Sequence, residues 1–202
     1  MKTAFSFNLI ILYFGRFITN IGDWVYMIAL TLILSEGKGV ELTFLWMIRT
    51  LAPFILRFFA GSVTDRVGPK LSIILSYLLR GIGVAVIPLF LNSWILFICV
   101  FFVSSLSPFF SSSFQPIISS LTDDSNRHRI NSILTTIGAS ALFIGPLIGS
   151  ILFEYNISLA FKYQAITFLA CAVLFLFVKV KIEDAGEENF QKNLKTIFVF
   201  LK

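Results

Sequence analysis

Few side chains in this sequence can do chemistry, and most of them sit where charge is expensive. An apolar run over 7–34 carries Arg16, Thr19, Asn20 and Asp23, at spacings i, i+3, i+4 and i+7. On a helix these positions share one face, with Arg16 and Asp23 about 10 Å apart along the axis. Tyr26 and Met27 continue that face. Arg49 and Arg57 lie in the next apolar run, and Arg80 lies near the middle of the third. Ionisable groups at such depth face a cavity or a partner rather than hydrocarbon. Arg16, Asn20 and Asp23 are therefore the leading candidates for contact with a bound molecule, together with Arg49, Arg80 and Gln115. The other reading is a polar network that ties the first run to a neighbour. Asp23 is the one acid set against four deep arginines. That imbalance points to an anionic or electron-rich ligand, or to carboxylates outside this chain. Arg57, close to the end of its run, can reach carbonyls or headgroups, and Arg80 is placed to pair with Asp23.

Catalytic groupings are missing. His128 is the sole histidine, flanked by Arg127 and Arg129, and the two cysteines are Cys99 and Cys171. There is no Cys–His or Ser–His arrangement, no phosphate-cradling glycine loop and no metal-ligand spacing. The expectation is no enzyme, no cofactor, no metal and no built-in ATPase. Composition agrees: 57% of the 202 residues are hydrophobic and 13% charged, against ~25% charged in soluble domains. Mean hydropathy is +0.89. A solvated coil is excluded, and a soluble core would need more charge to cover it.

The elements that carry these residues are membrane-spanning helices. A span needs about 20 mostly apolar residues, and six runs qualify: 7–34, 41–63, 71–91, 94–120, 130–153 and 157–180. The runs are continuous rather than alternating, which excludes a β-barrel. The fold class is thus an all-α membrane protein, with a six-span bundle over 1–180. The first run lacks a small-x-small cleavage site and carries polar residues, so it reads as a retained span rather than a signal peptide. Lys2, Arg66, Lys70, Arg127, Arg129, Lys179, Lys181 and the later lysines fall on one side, and only Lys38 and Lys162 on the other. The positive-inside bias places both termini in the cytoplasm. Topology then accounts for most of the net charge of +5, and no nucleic-acid partner is needed. Residues 181–202 form a polar linker followed by Phe190, Leu194, Ile197, Phe198 and Leu201 at helical spacing among lysines, an amphipathic segment able to lie on the inner leaflet.

The segment after the second run is the most specific in the chain. Gly61, Asp65, Arg66, Gly68 and Lys70 reproduce a pattern of Gly, three residues, Asp-Arg, one residue, Gly, one residue and a basic residue. It resembles the signature loop of the major facilitator superfamily. Gly61 would allow close packing of the second span, Gly68 a turn with positive φ, and Asp65 would meet a helix terminus of another span. In the fifth span, Ala141, Gly145-Pro146 and Gly149 resemble the Gly-Pro motif of superfamily antiporters, and their four-residue spacing makes a stripe for close helix contact. Pro146 can kink that helix. Gly15-Arg16, Gly22-Asp23 and Arg129-Ile130-Asn131-Ser132 are similar to the enterobactin-exporter-like and macrolide-efflux-like branch.

This resemblance implies the N-terminal half of a twelve-span fold, itself a 3+3 inverted repeat. It further implies a plasma-membrane secondary transporter, an efflux protein for hydrophobic or amphipathic small molecules. The expected partners are substrate, lipid and a second six-helix half, in the same or a separate chain. The chain by itself is expected not to transport. The alternative is a truncated or partner-binding membrane protein without transport activity. The arginine common in the fourth span of drug–proton antiporters is absent. That span is instead rich in serine, with Ser104, Pro108, Ser111 and Gln115 expected on one face. Two readings of it stand, a kinked cavity-lining helix or hydroxyls bonded to their own carbonyls. The sixth span, with Gln164 and Thr167 nearly its only polar residues, reads as lipid-facing.

Overall fold

The computed structural model describes residues 7–35, 39–91, 94–122 and 124–178. The proposed segment 181–202 lies outside them. Six helical stretches are long and apolar enough to cross a membrane. The first is α1 (Phe7–Ser35), the second α2 (Gly39–Val67) and the third α3 (Pro69–Val86), extended by a 3-10 turn at Ile87–Leu89. The fourth span is divided into α4 (Ile95–Ser105) and α5 (Ser107–Leu121), followed by α6 (Arg127–Tyr155) and α7 (Ile157–Phe177).

Local chemistry sets the boundaries. Gly68 takes φ +87°, the conformation expected of it, and Pro69 opens α3 directly behind it. Proline at a first helical position forfeits only an N–H that would be orphaned anyway. Asn156 ends α6 and starts α7, its side-chain oxygen accepting from the Ser158 N–H at 2.9 Å. The fourth span breaks at Leu106 because Pro108 follows in the first turn of α5. Helices α2 and α6, by contrast, run through Pro53 and Pro146 without interruption.

The packing obeys a three-span shift. The most extensive contacts join α1 to α6 and α7, α3 to α7, α3 to α4 and α5, and α2 to α4 and α5. Moving every span by three exchanges span pair 1·5 with 4·2 and pair 1·6 with 4·3, and leaves 3·6 unchanged. Consecutive spans run in opposite directions, so this exchange is an inverted repeat.

In lipid, burial of apolar surface does not drive helices together, so close backbone approach and packing matter more. The stripe on α6 provides that approach. Ala141, Gly145 and Gly149 are all buried. A side chain at Gly145 would collide with Trp24 and sit 3.0 Å from the Ile21 carbonyl, and one at Gly149 would lie 3.1 Å from the Val25 Cα. Gly61 behaves differently from expectation. A Cβ there would meet nothing within 4 Å, so Gly61 mediates no close packing within this bundle. The sixth span also departs from its reading. It is not lipid-facing, since α7 buries Phe161, Gln164, Thr167, Phe168, Cys171 and Phe175. Helices α2 and α6 are the exposed ones, with few buried positions each.

Gly149→Val should destabilise the bundle by about 1–3 kcal/mol through overpacking against α1. Gly61→Ala should leave stability within about 0.5 kcal/mol. Thermal unfolding in detergent checks both, and equal losses would contradict the packing described.

Candidate functional site

Asp23 gathers the polar groups of three spans. Arg80 on α3 donates from Nη2 to Asp23 Oδ1 at 3.0 Å, which is the pair expected from the sequence. Gln164 on α7 donates from Nε2 to the same oxygen at 2.8 Å. Thr167 in turn donates to the Gln164 side-chain oxygen at 3.1 Å and to its backbone carbonyl at 2.8 Å. Gln164 is fully buried, whereas the Asp23 side chain keeps 29% of its surface and Arg80 11%. The Arg80 guanidinium lies 4.3 Å from the centre of the Phe168 ring, where the ring face attracts its charge. Gly22 makes the arrangement possible, because a side chain there would occupy the position of the Gln164 carboxamide. The signal for Gln164 lay in the sequence as an i, i+3 polar pair on an otherwise apolar span.

The remaining candidates divide. Arg16 is half-buried, 4.9 Å from the Phe110 ring centre and 5.5 Å from that of Phe114. Asn20 is half-buried, and its amide nitrogen lies 4.0 Å from where a side chain at Gly138 of α6 would begin. Arg49 is half-buried, while Arg57 and Gln115 are exposed. Three expectations change here. Thr19 is buried and donates to the Gly15 carbonyl at 2.8 Å, so the stripe on α1 is not uniformly open. Tyr26 and Met27 are core residues, 2% and 1% exposed, because the α1 face turns into the bundle there. In the fourth span Ser104 and Pro108 are buried while Ser111 and Gln115 are exposed, so the four do not share one environment. The serine hydroxyls of α5 mostly bond their own helix, Ser113 to the Phe109 carbonyl at 2.6 Å and Ser111 to the Ser107 carbonyl at 3.2 Å.

The signature loop is held by a residue that sequence reasoning passed over. Thr64, 1% exposed, lies within hydrogen-bond distance of Ser112 Oγ at 2.7 Å and Ser72 Oγ at 3.2 Å. Ser112 also donates to the Ala60 carbonyl at 3.4 Å. The end of α2, the start of α3 and the middle of α5 thus meet in one hydroxyl cluster. Asp65 and Arg66 beside it are exposed. Lys70 donates from Nζ to the Leu176 carbonyl at 2.9 Å, which satisfies an acceptor in the last turn of α7 and suits the negative end of its dipole. Among the described residues no group of three or more His, Cys, Asp or Glu side chains could hold a metal ion.

A double-mutant cycle on Asp23→Asn and Arg80→Gln should return a coupling of about 1–3 kcal/mol. The double change should cost less than the sum of the two single changes, because each single change strands the other's charge. Unfolding in detergent measures it, and a coupling near zero would mean the contact carries no energy. Thr64→Val should cost about 1 kcal/mol without altering the Asp23–Arg80 coupling.

A family model described as Major Facilitator Superfamily matches residues 12–201. The Multidrug resistance protein MdtH of Salmonella arizonae is 29% identical over 118 residues, which is 58% of this chain and 29% of that protein. The MdtH proteins of Salmonella typhimurium and Salmonella newport match with the same identity and the same coverage. The chain therefore aligns with less than a third of the length of these relatives. The family match reaches from within the first span to beyond the last, over the six-helix bundle and its signature loop, and the chain belongs to the major facilitator superfamily.

Proposed function

We propose that this chain is one six-helix half of a secondary transporter that exports amphipathic small molecules across the plasma membrane. The carrying observation is the Asp23–Arg80–Gln164 network, a charged centre kept at depth in an otherwise apolar bundle. Charges that cost this much are retained in membranes at ion and substrate pathways. The MdtH likeness supports efflux as the direction, and Gly15-Arg16, Gly22-Asp23 and Arg129 to Ser132 support the enterobactin-exporter-like and macrolide-efflux-like branch. Residues 1–180 form the bundle and 181–202 begin a central linker on the inner leaflet. Both termini face the cytoplasm.

Transport proceeds by alternating access, with this bundle rocking against a second one around a midplane site. Asp23 is the acid at that depth that can exchange partners as the site changes its exposure. The thinly buried helices α2 and α6 are the faces available to a second bundle. Asp65, Arg66 and Gly68 act at the cytoplasmic end, where the hydroxyl cluster makes the loop move with α5.

Proteoliposomes test the reading. The chain joined by a second six-span half should give saturable, gradient-dependent flux of an amphipathic dye, and the chain alone should not. Asp23→Asn should abolish that flux, by at least about tenfold, when equal amounts of folded protein are compared. Normal flux in the Asp23→Asn variant removes the network from the mechanism, and saturable flux from the lone bundle removes the need for a second half. Cysteines replacing Arg66 and Lys162 should label from opposite faces of intact cells, Lys162 from outside.

A further inference from the structure

The outer side of α2 carries charge where lipid would leave it unmatched. Positions 54, 57, 61 and 65 follow one another at helical spacing and so share a face. Phe54, Arg57 and Asp65 are exposed there, and a side chain at Gly61 would meet nothing within 4 Å. The opposite face, at Ala52, Ala60 and Thr64, is buried in the bundle. The apolar run 41–63 puts Arg57 near its end, within reach of headgroups. Helix α2 continues to Val67, however, and Pro53 is its middle residue. Arg57 therefore stands about 6 Å along the axis from that middle, inside a hydrocarbon half-layer about 15 Å deep. Among the described residues its side chain makes no hydrogen bond, ion pair or ring contact.

The acids of this bundle do not neutralise it. Asp23 pairs with Arg80, and Asp65, the acid on Arg57's own face, lies about 12 Å farther along the axis. Helix α6, the other thinly buried one, has no ionisable residue from 130 to 153, so lipid covers it without a charge cost. Of the two, α2 is the helix whose cover must supply charge. A second copy of this chain cannot supply it. Two copies inserted in the same direction are related by a two-fold axis along the membrane normal. Their α2 helices would run parallel, with Arg57 level with Arg57 and Asp65 level with Asp65, and like charges would meet at both levels. The face is complementary to something other than itself.

We propose that the Phe54–Arg57–Gly61 face of α2 docks a transmembrane helix of a second, non-identical bundle, that this helix carries an Asp or Glu level with Arg57, and that the face rejects a second copy of this chain. The identity of the partner as a transporter half rests on the reading above, while the charge selectivity of the face does not. The bare Gly61 lets an incoming backbone come close one turn from the charge. A carboxylate brought to Arg57 in that dry setting makes a charge-assisted hydrogen bond and leaves neither group uncompensated. Phe54 and Phe58, whose ring centres lie 5.8 Å apart, supply apolar area beside it.

The test uses the purified full chain in phosphatidylcholine vesicles and dansyl-labelled single-span peptides of leucine and alanine that carry one Glu, Gln or Lys at the depth of Arg57. Energy transfer from tryptophan to the dansyl group reports association. The Glu peptide should associate about five- to tenfold more tightly than the Gln peptide, and the Lys peptide more weakly than either. Arg57→Gln should erase that preference, and Arg57→Glu should reverse it in favour of Lys. Gly61→Leu should weaken all three peptides by removing the close approach, and Lys162→Gln, a charge loss away from this face, should change nothing. Chains carrying Gly61→Cys, with both native cysteines replaced by alanine, should cross-link poorly with one another and readily once one of the two also carries Arg57→Glu. Far-UV circular dichroism and size-exclusion profiles verify folding, and if Arg57→Gln is not folded, Arg57→Lys, which should keep the preference, and Arg57→Glu decide. Equal association of the Glu and Gln peptides, the result if lipid headgroups already neutralise Arg57, overturns the proposal. So does a preference that survives in folded Arg57→Gln, or ready cross-linking between two copies that both keep Arg57. Glu-selective docking without flux in the complete transporter would instead count against the transport reading alone.

Discussion

A single carboxylate in a low-dielectric interior dictates much of this bundle. Asp23, a carboxylate at this depth, needs donors, because an uncompensated charge there costs about 2.5–3.5 kcal/mol on insertion scales. Its donors come from two other spans, Arg80 of α3 and Gln164 of α7. That requirement fixes the rotation of all three helices about their axes. It also explains two small residues and one large one. Gly22 is bare because Gln164 needs its place, Thr167 holds the Gln164 amide in the orientation that donates, and Phe168 supplies a ring face for the charge of Arg80.

The same helix must satisfy a second neighbour by a different means. One side of α1, at Gly15 and Gly22, admits Cys171 and Gln164 of α7. The other side presents Ile21, Trp24 and Val25 to a partner that has given up its own side chains, Gly145 and Gly149 of α6. Large residues on one helix and none on the other let two backbones approach closely, which is how dispersion and weak polar contacts hold helices in lipid. α1 is thus joined to α7 by hydrogen bonds at a charged centre and to α6 by shape. The first kind of contact tolerates no loss of a partner. The second tolerates no added volume.

Much of this was legible from residue types, and the failures share one physical origin. The six spans, the Gly68 turn, the Gly145 and Gly149 stripe and the Arg80–Asp23 pair followed from apolar run length, positive φ, small-residue spacing and the scarcity of acids. What hydropathy could not separate was lipid-facing surface from protein core. In a soluble chain an apolar residue points inward, but in a membrane both directions are apolar, so α7 read as peripheral when it is central. Its polar pair Gln164 and Thr167 was the available clue. Thr64 escaped for a related reason. A lone threonine between Gly61 and Asp65 looks like part of a polar loop, and only the return of α5 to that end, bringing Ser112 within 2.7 Å, makes it a junction.

The repeat and the chemistry obey different symmetries. By the three-span shift, spans 1 and 4 are equivalent neighbours of the pair formed by α3 and α7. Toward α1 that pair presents Arg80, Gln164 and Thr167, a polar centre. Toward α5 it presents Tyr77, whose ring lies 5.1 Å from that of Phe110, 5.5 Å from Phe175 and 5.9 Å from Phe168. The polar groups thus lie toward α1 and the Tyr77–Phe110 contact toward α5, with Phe168 touching both Arg80 and Tyr77, although the backbone packing is alike on both sides. Placing Asp23, Arg80 and Gln164 together on the α1 side makes the two sides chemically unlike. Arg16 joins the two sides, rooted on α1 and resting on the rings of Phe110 and Phe114 of α5.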